Sequence, residues 1–137
     1  MAYVRKKAVN GYVYHYLVEA RRAGGKVRQH TLAYLGSNEA CSTTEGAITY
    51  WTRELERLRE QAQYCRASAE AAKQRIPESR LVRYGGAIPH TKRRGLRLRW
   101  NPEGQYWGVM DRLGSYERRI LQAERRLAVL GAHVGSA

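Results

Sequence analysis

The sequence predicts an α+β fold, a three-stranded antiparallel meander followed by a long antiparallel helical hairpin. Two turn signals divide the first 36 residues into three runs rich in Val, Tyr, Thr and Leu. Two apolar seams at alternating steps of three and four residues follow, over about 43–75 and 102–130. A connection of about 25 residues separates the seams. A chain of 137 residues has room for one ordinary domain with a modest core.

The strands are expected over about 2–9, 12–21 and 27–35. Asn10-Gly11 joins the first two, because both central positions of a type I′ turn need positive φ and this pair tolerates it. Ala23-Gly24-Gly25-Lys26 does the same between the second and third, and Gly36 ends the third. In the second run, period two puts Tyr12, Tyr14, Tyr16 and Val18 on one side, and Val13, His15, Leu17 and Glu19 on the other. Neither set is cleanly polar, so pattern alone leaves open which side is covered.

Three strands need a partner to bury one face. Ser42-Thr43-Thr44-Glu45 reads as a capping box, the Ser hydroxyl accepting from the third helical N–H while the Glu reaches back. From there Ile48, Trp51, Leu55, Leu58, Ala62, Cys65, Ala69, Ala72 and Ile76 form the first seam, with Pro77 as its stop. At 1.5 Å per residue this helix is roughly 50 Å long. Asn101-Pro102-Glu103 offers a cap, a first-turn Pro and a first-turn acid for the second helix. Its seam is Tyr106, Val109, Leu113, Tyr116, Ile120, Ala123, Leu127 and Leu130, and Gly131 can close it. Small residues late in the first helix would face the bulky start of the second, filling space without voids. Self-association of the seams, giving a homo-oligomer, is the rival use of the same pattern. Along the chain this divides into a sheet module (1–36), the first helix (37–76), a connecting arm (77–101) and the second helix with its tail (102–137), expected to form a single compact unit.

The net charge is +13, and its position says more than its size, since 20 of the 25 basic residues are Arg. Residues 1–36 carry +6, residues 37–76 zero, residues 77–101 +6 and residues 102–137 +1. Concentration in two blocks around a neutral stretch points to an anionic partner.

Catalytic sets are absent from the pattern. The lone Asp111 falls mid-helix, and the Glu residues lie on helical surfaces at ion-pair spacing, Glu56 with Arg53 and Arg59, Glu117 with Arg118. Metal-assisted phosphoryl chemistry needs carboxylates that converge. His15, His30, His90 and His133 are scattered, without zinc-ligand spacing. Gly24-Gly25-Lys26 lacks the first Gly and the Ser/Thr of a phosphate loop and joins two strands. Cys41 and Cys65 read as reduced thiols. No signal segment and no membrane span is expected. The chain is therefore expected to be a cytoplasmic non-enzyme with no catalytic residue, metal or cofactor.

Basic residues interleaved with aromatics supply the positive signal. Arg5, Lys6 and Lys7 sit in the first strand, Arg21, Arg22 and Lys26 flank the second turn, and Arg28 opens the third strand. Lys92, Arg93, Arg94, Arg97 and Arg99 follow in the arm. Cations so placed can pair phosphates and release condensed counterions, and a ribbon can enter a major groove where Arg bonds guanine edges. The competing reading is that basic side chains merely guard exposed strand edges.

The runs Tyr3-Val4-Arg5-Lys6-Lys7, Gly11-Tyr12-Val13-Tyr14-His15-Tyr16-Leu17-Val18-Glu19 and Gly25-Lys26-Val27-Arg28-Gln29-His30-Thr31-Leu32-Ala33-Tyr34-Leu35-Gly36 together resemble the N-terminal region of DDE-type insertion-sequence transposases, over residues 2–36. That region precedes the catalytic domain and helps engage transposon DNA. The resemblance implies an accessory, DNA-engaging module linked to a mobile element, tips the expected partner slightly towards duplex DNA over RNA, and makes nucleoid association the expected setting. This chain has no acidic triad after the module, so strand transfer is not implied. The alternative class is a coiled-coil protein–protein interaction module with no nucleic-acid role.

Overall fold

A computed structural model describes residues 1–76 and 102–134. The chain divides into two compact units, one of Met1–Glu56 with Leu121–Ala137 and one of Arg57–Ile120.

In the first unit β1 (Ala2–Val9), β2 (Tyr12–Ala23) and β3 (Lys26–Gly36) form an antiparallel sheet in that order. The tips are built as the turn chemistry requires: Asn10 and Gly11 have φ of 50° and 81°, Gly24 and Gly25 60° and 74°. β2 and β3 run slightly beyond the expected ends, because their pairing continues to Ala23 opposite Lys26. Register slips between His15 and Tyr16 and between Leu17 and Val18 mark two irregularities in the β2–β3 ladder, the kind that re-aim side chains. A 3₁₀ turn, Glu39–Ser42, follows the sheet, its first N–H groups met by Asn38, whose Oδ1 accepts from Ala40 N at 2.9 Å.

Helix α1 spans Thr44–Lys73 and α2 spans Pro102–Val134. The cap of α1 lies one residue later than expected. Thr43 is extended (φ −124°, ψ 157°) and its Oγ1 accepts from Gly46 N at 3.0 Å, so Glu45 stands one place too early to reach back as a capping-box acid. Gly46 is required there, because a Cβ would overlap the Ala40 carbonyl oxygen. At the far end, α2 passes through Gly131 to Val134. Gly131 has no positive φ, and without that turn a glycine only weakens a helix.

The first unit's core resolves the ambiguity in β2. Leu17, Leu35, Cys41, Ala47 and Leu130 are wholly buried together, with Ala2, Val4, Trp51 and Val129 packed around them. Leu17, on the Val13–Glu19 side of β2, is therefore turned into this core, while on the tyrosine side Tyr12 is exposed, Tyr14 and Tyr16 are half-buried and Val18 alone of that set is buried. His15 is also wholly buried. The Gly36 carbonyl can only accept, so the ring donates from Nδ1 (3.1 Å), leaving Nε2 buried without a partner among the described residues. Ala47 shares this core with Leu130, and Arg126 lies over Trp51, so within this unit the two helix segments run antiparallel.

In the second unit, Ala62, Cys65 and Ala69 of α1 pack against Val109 and Leu113 of α2, with Tyr106, Tyr116 and Ile120 around them. This is the small-against-large match that the seams predict. Glu117 pairs across the helices with Arg66 at 3.4 Å, where the sequence had suggested its neighbour Arg118. Cys41 and Cys65 are free thiols, both buried. Among the described residues no helix is long and apolar enough to cross a membrane.

Candidate nucleic-acid interface

The last β1 pair is Ala2 with Glu19, so beyond it Ala20–Ala23 and Lys26–Gln29 continue as a two-stranded ribbon. Every residue from Arg21 to Thr31 is exposed. This ribbon carries four of the expected cations. Arg21 stands directly opposite Arg28, Arg22 opposite Val27, and Lys26 opposite Ala23. Arg21 Nε donates to Glu19 Oε2 at 2.7 Å, and that hydrogen bond is the main cause of a lowered Glu19 pKa.

Strand alternation separates the β1 cations. Arg5 and Lys7 lie on the outer, tyrosine side, where with Tyr16, Val18 and Thr31 they line a shallow hollow. Arg5 is held there by Gln29, which accepts from Arg5 Nη1 at 2.6 Å and donates to the Tyr3 hydroxyl. Lys6 points to the opposite side and meets Glu39 at 3.5 Å, an exposed pair that contributes little. Of the expected residues, then, Arg5, Lys7 and Arg22 share the outer side by alternation, Lys6, Arg21 and Arg28 belong to the other, and Lys26 is at the tip. Lys92, Arg93, Arg94, Arg97 and Arg99 lie outside the described residues.

One cation was not among those expected. The Arg126 guanidinium lies 4.3 Å from the Trp51 ring centroid and 5.4 Å from that of Tyr34. Trp51 is pinned by its own indole N–H, which donates to the Leu35 carbonyl at 3.0 Å. Burial lowers the Arg126 pKa, the mark of a charge partly stripped of water. Tyr34 in turn packs at a tilt against Tyr16, with ring centroids 5.3 Å apart, and Tyr16 borders the outer hollow. Nothing local announces Arg126, since it flanks the seam residue Leu127 like any surface arginine; its aromatic partners come from β3 and α1. Among the described residues no three His, Cys, Asp or Glu side chains gather where they could hold a metal ion.

Comparison with curated proteins and with solved structures gave no match. Residues 3–74 match the family described as IS1634 family transposase, N-terminal domain. The match extends past the sheet, over which the sequence resemblance was drawn, through the 3₁₀ turn and the whole of α1, so the first helix is part of the same family unit. Sheet, cap and first helix together thus place the chain in a family of mobile-element proteins: it belongs to the IS1634 transposase N-terminal domain family.

Proposed function

We propose that the chain holds duplex DNA without cutting it, serving as a DNA-engaging module of a mobile element. Phosphates are paired by the β2–β3 ribbon (Arg21, Arg22, Lys26, Arg28) and by Arg5 and Lys7 on the outer side of the sheet, with Lys6 at the rim. The arm cations Lys92, Arg93, Arg94, Arg97 and Arg99 provide a second set of contacts. The observation that carries this reading is the ribbon itself, a two-stranded extension past the third strand with Arg21 facing Arg28. Like charges directly opposite on a ladder destabilise it, and a polyanion laid along the ribbon reverses the sign. A ribbon of this kind fits a major groove. DNA is favoured over RNA through the family.

The test is binding to duplex DNA, single-stranded DNA and RNA over a salt series. A steep fall in affinity with salt, strongest for duplex DNA, supports the reading. Flat or undetectable binding sinks it and favours a protein-interaction role. A triple Lys92, Arg93 and Arg94 to Ala variant should lower the salt slope while leaving helicity unchanged; an unchanged slope removes the arm from the interface.

A further inference from the structure

We propose that Arg126, seated on Trp51 and Tyr34, is a phosphate-binding site for nucleic acid that lies outside both basic blocks of the sequence; it stands on the nucleic-acid reading above and adds a site to it. The first argument is donor accounting. A guanidinium carries five N–H donors in its plane. Its central carbon lies over the two rings, and among the described residues Arg126 has no hydrogen bond and no ion pair. In-plane donors that are partly desolvated and have no acceptor among the described residues suit a planar, bidentate anion contact.

The surroundings suit an anion as well. Arg126 borders a hollow shared with Tyr34, Ser37, Asn38, Tyr50 and Trp51, which brings hydroxyls and an amide but no carboxylate. The Asn38 amide oxygen already accepts from Ala40 N, so what Asn38 can offer a ligand is its N–H₂. On its other side Arg126 borders a second hollow with Arg125 and Gln122, again without an acid.

Continuity selects the source of the phosphate. Arg126 contacts Tyr34, Tyr34 packs at a tilt against Tyr16, and Tyr16 borders the hollow of Arg5 and Lys7. Two adjoining aromatic rings thus link a cation of α2 to the cations of β1 across the sheet, the composition of a surface that follows a nucleic-acid backbone. An isolated carboxylate site for an acidic peptide would need no such track.

The experiment compares the full chain with its Arg126→Gln, Arg126→Lys and Ser37→Glu variants, binding labelled duplex and single-stranded DNA over a salt series. Arg126→Gln should bind about tenfold more weakly at moderate salt, with the log–log slope reduced by about one. Arg126→Lys should keep the slope and lose part of the affinity, as a point charge lacks the planar fork. Ser37→Glu leaves the stacked arginine in place and puts a carboxylate in its hollow; it should lose affinity with no loss of stability, so the test survives if Arg126→Gln folds poorly. In the wild type, the Trp51 indole N–H resonance should shift on adding DNA. Wild-type binding with Arg126→Gln and Ser37→Glu unchanged in affinity and slope would overturn this site alone. A wild type that binds no nucleic acid would overturn the functional reading and this site together, and binding of an acidic peptide in its place would assign the hollow to a protein partner.

Discussion

Arg21 and Arg28 face each other across the β2–β3 ladder at a point where β1 has already ended, and Arg21 Nε donates to Glu19. Among the described residues no third strand pairs with the ribbon there.

Arg28→Thr should therefore move stability and binding in opposite directions. Removing one of the two like charges, with a β-branched residue in its place, is expected to raise stability by about 0.5 kcal/mol. DNA affinity should fall, with the salt slope reduced by about one. Urea unfolding and a salt series read the two effects; a loss of both would make Arg28 a structural residue.

Thr43, not Ser42, caps α1. Thr43→Ala should cost about 1 kcal/mol, whereas Ser42→Ala should stay within about 0.5 kcal/mol of wild type. Gly46→Ala should cost more than either, since its Cβ would meet both the Ala40 carbonyl oxygen and Thr43 Oγ1. Equilibrium denaturation of the three variants checks this order.

The small-against-large packing of the second unit makes opposite substitutions both harmful. Leu113→Ala opens a cavity and should cost about 2–5 kcal/mol. Ala62→Leu overfills the same cluster and should cost about 1–3 kcal/mol. Because Ala62 and Leu113 share that cluster, the double variant should be less destabilised than the two costs added. Simple additivity in a denaturant double-mutant cycle would contradict the contact.

Acid should weaken the ribbon through Glu19. The Arg21 hydrogen bond lowers its pKa in the folded chain, so the unfolded chain binds the proton first as pH falls. The stabilisation is present above the ordinary Glu range and disappears as pH drops through the lowered value. Glu19→Gln should flatten this part of the stability–pH curve, most visibly at low salt, because the pair is exposed. An unchanged acid limb in urea unfolding across that range would show the bond to be without thermodynamic weight.

Much of the architecture is written locally. Asn10-Gly11 and Gly24-Gly25 form the two hairpin tips because positive φ is a property of those residues themselves. The seams from Leu55 to Ala72 and from Val109 to Leu130 were legible because a helix repeats its buried face every three or four residues, whatever it packs against. Cap position was less legible: Ser42 and Thr43 are chemically equivalent caps, and the 3₁₀ turn ahead of the helix settled the choice.

The candidate interface was legible only as composition. The basic ribbon cations could be named from the chain, but their division between the two sides of the sheet could not, since neither alternating set of β2 is cleanly polar. Burial of Leu17 and His15 made that choice, and with it sent Arg5 and Lys7 outward and Lys6 to Glu39.

By itself, then, the sequence determined the strands, the turns, the helical seams and the presence of concentrated positive charge, all properties of residues close together in the chain. Tertiary structure alone decided which side of the sheet is covered, that Arg66 meets Glu117, and that Arg126 rests on Trp51 and Tyr34. Such contacts join residues tens of positions apart, and they depend on strand register, ladder irregularities and the meeting of two helices, none of which is stored in any short stretch of chain.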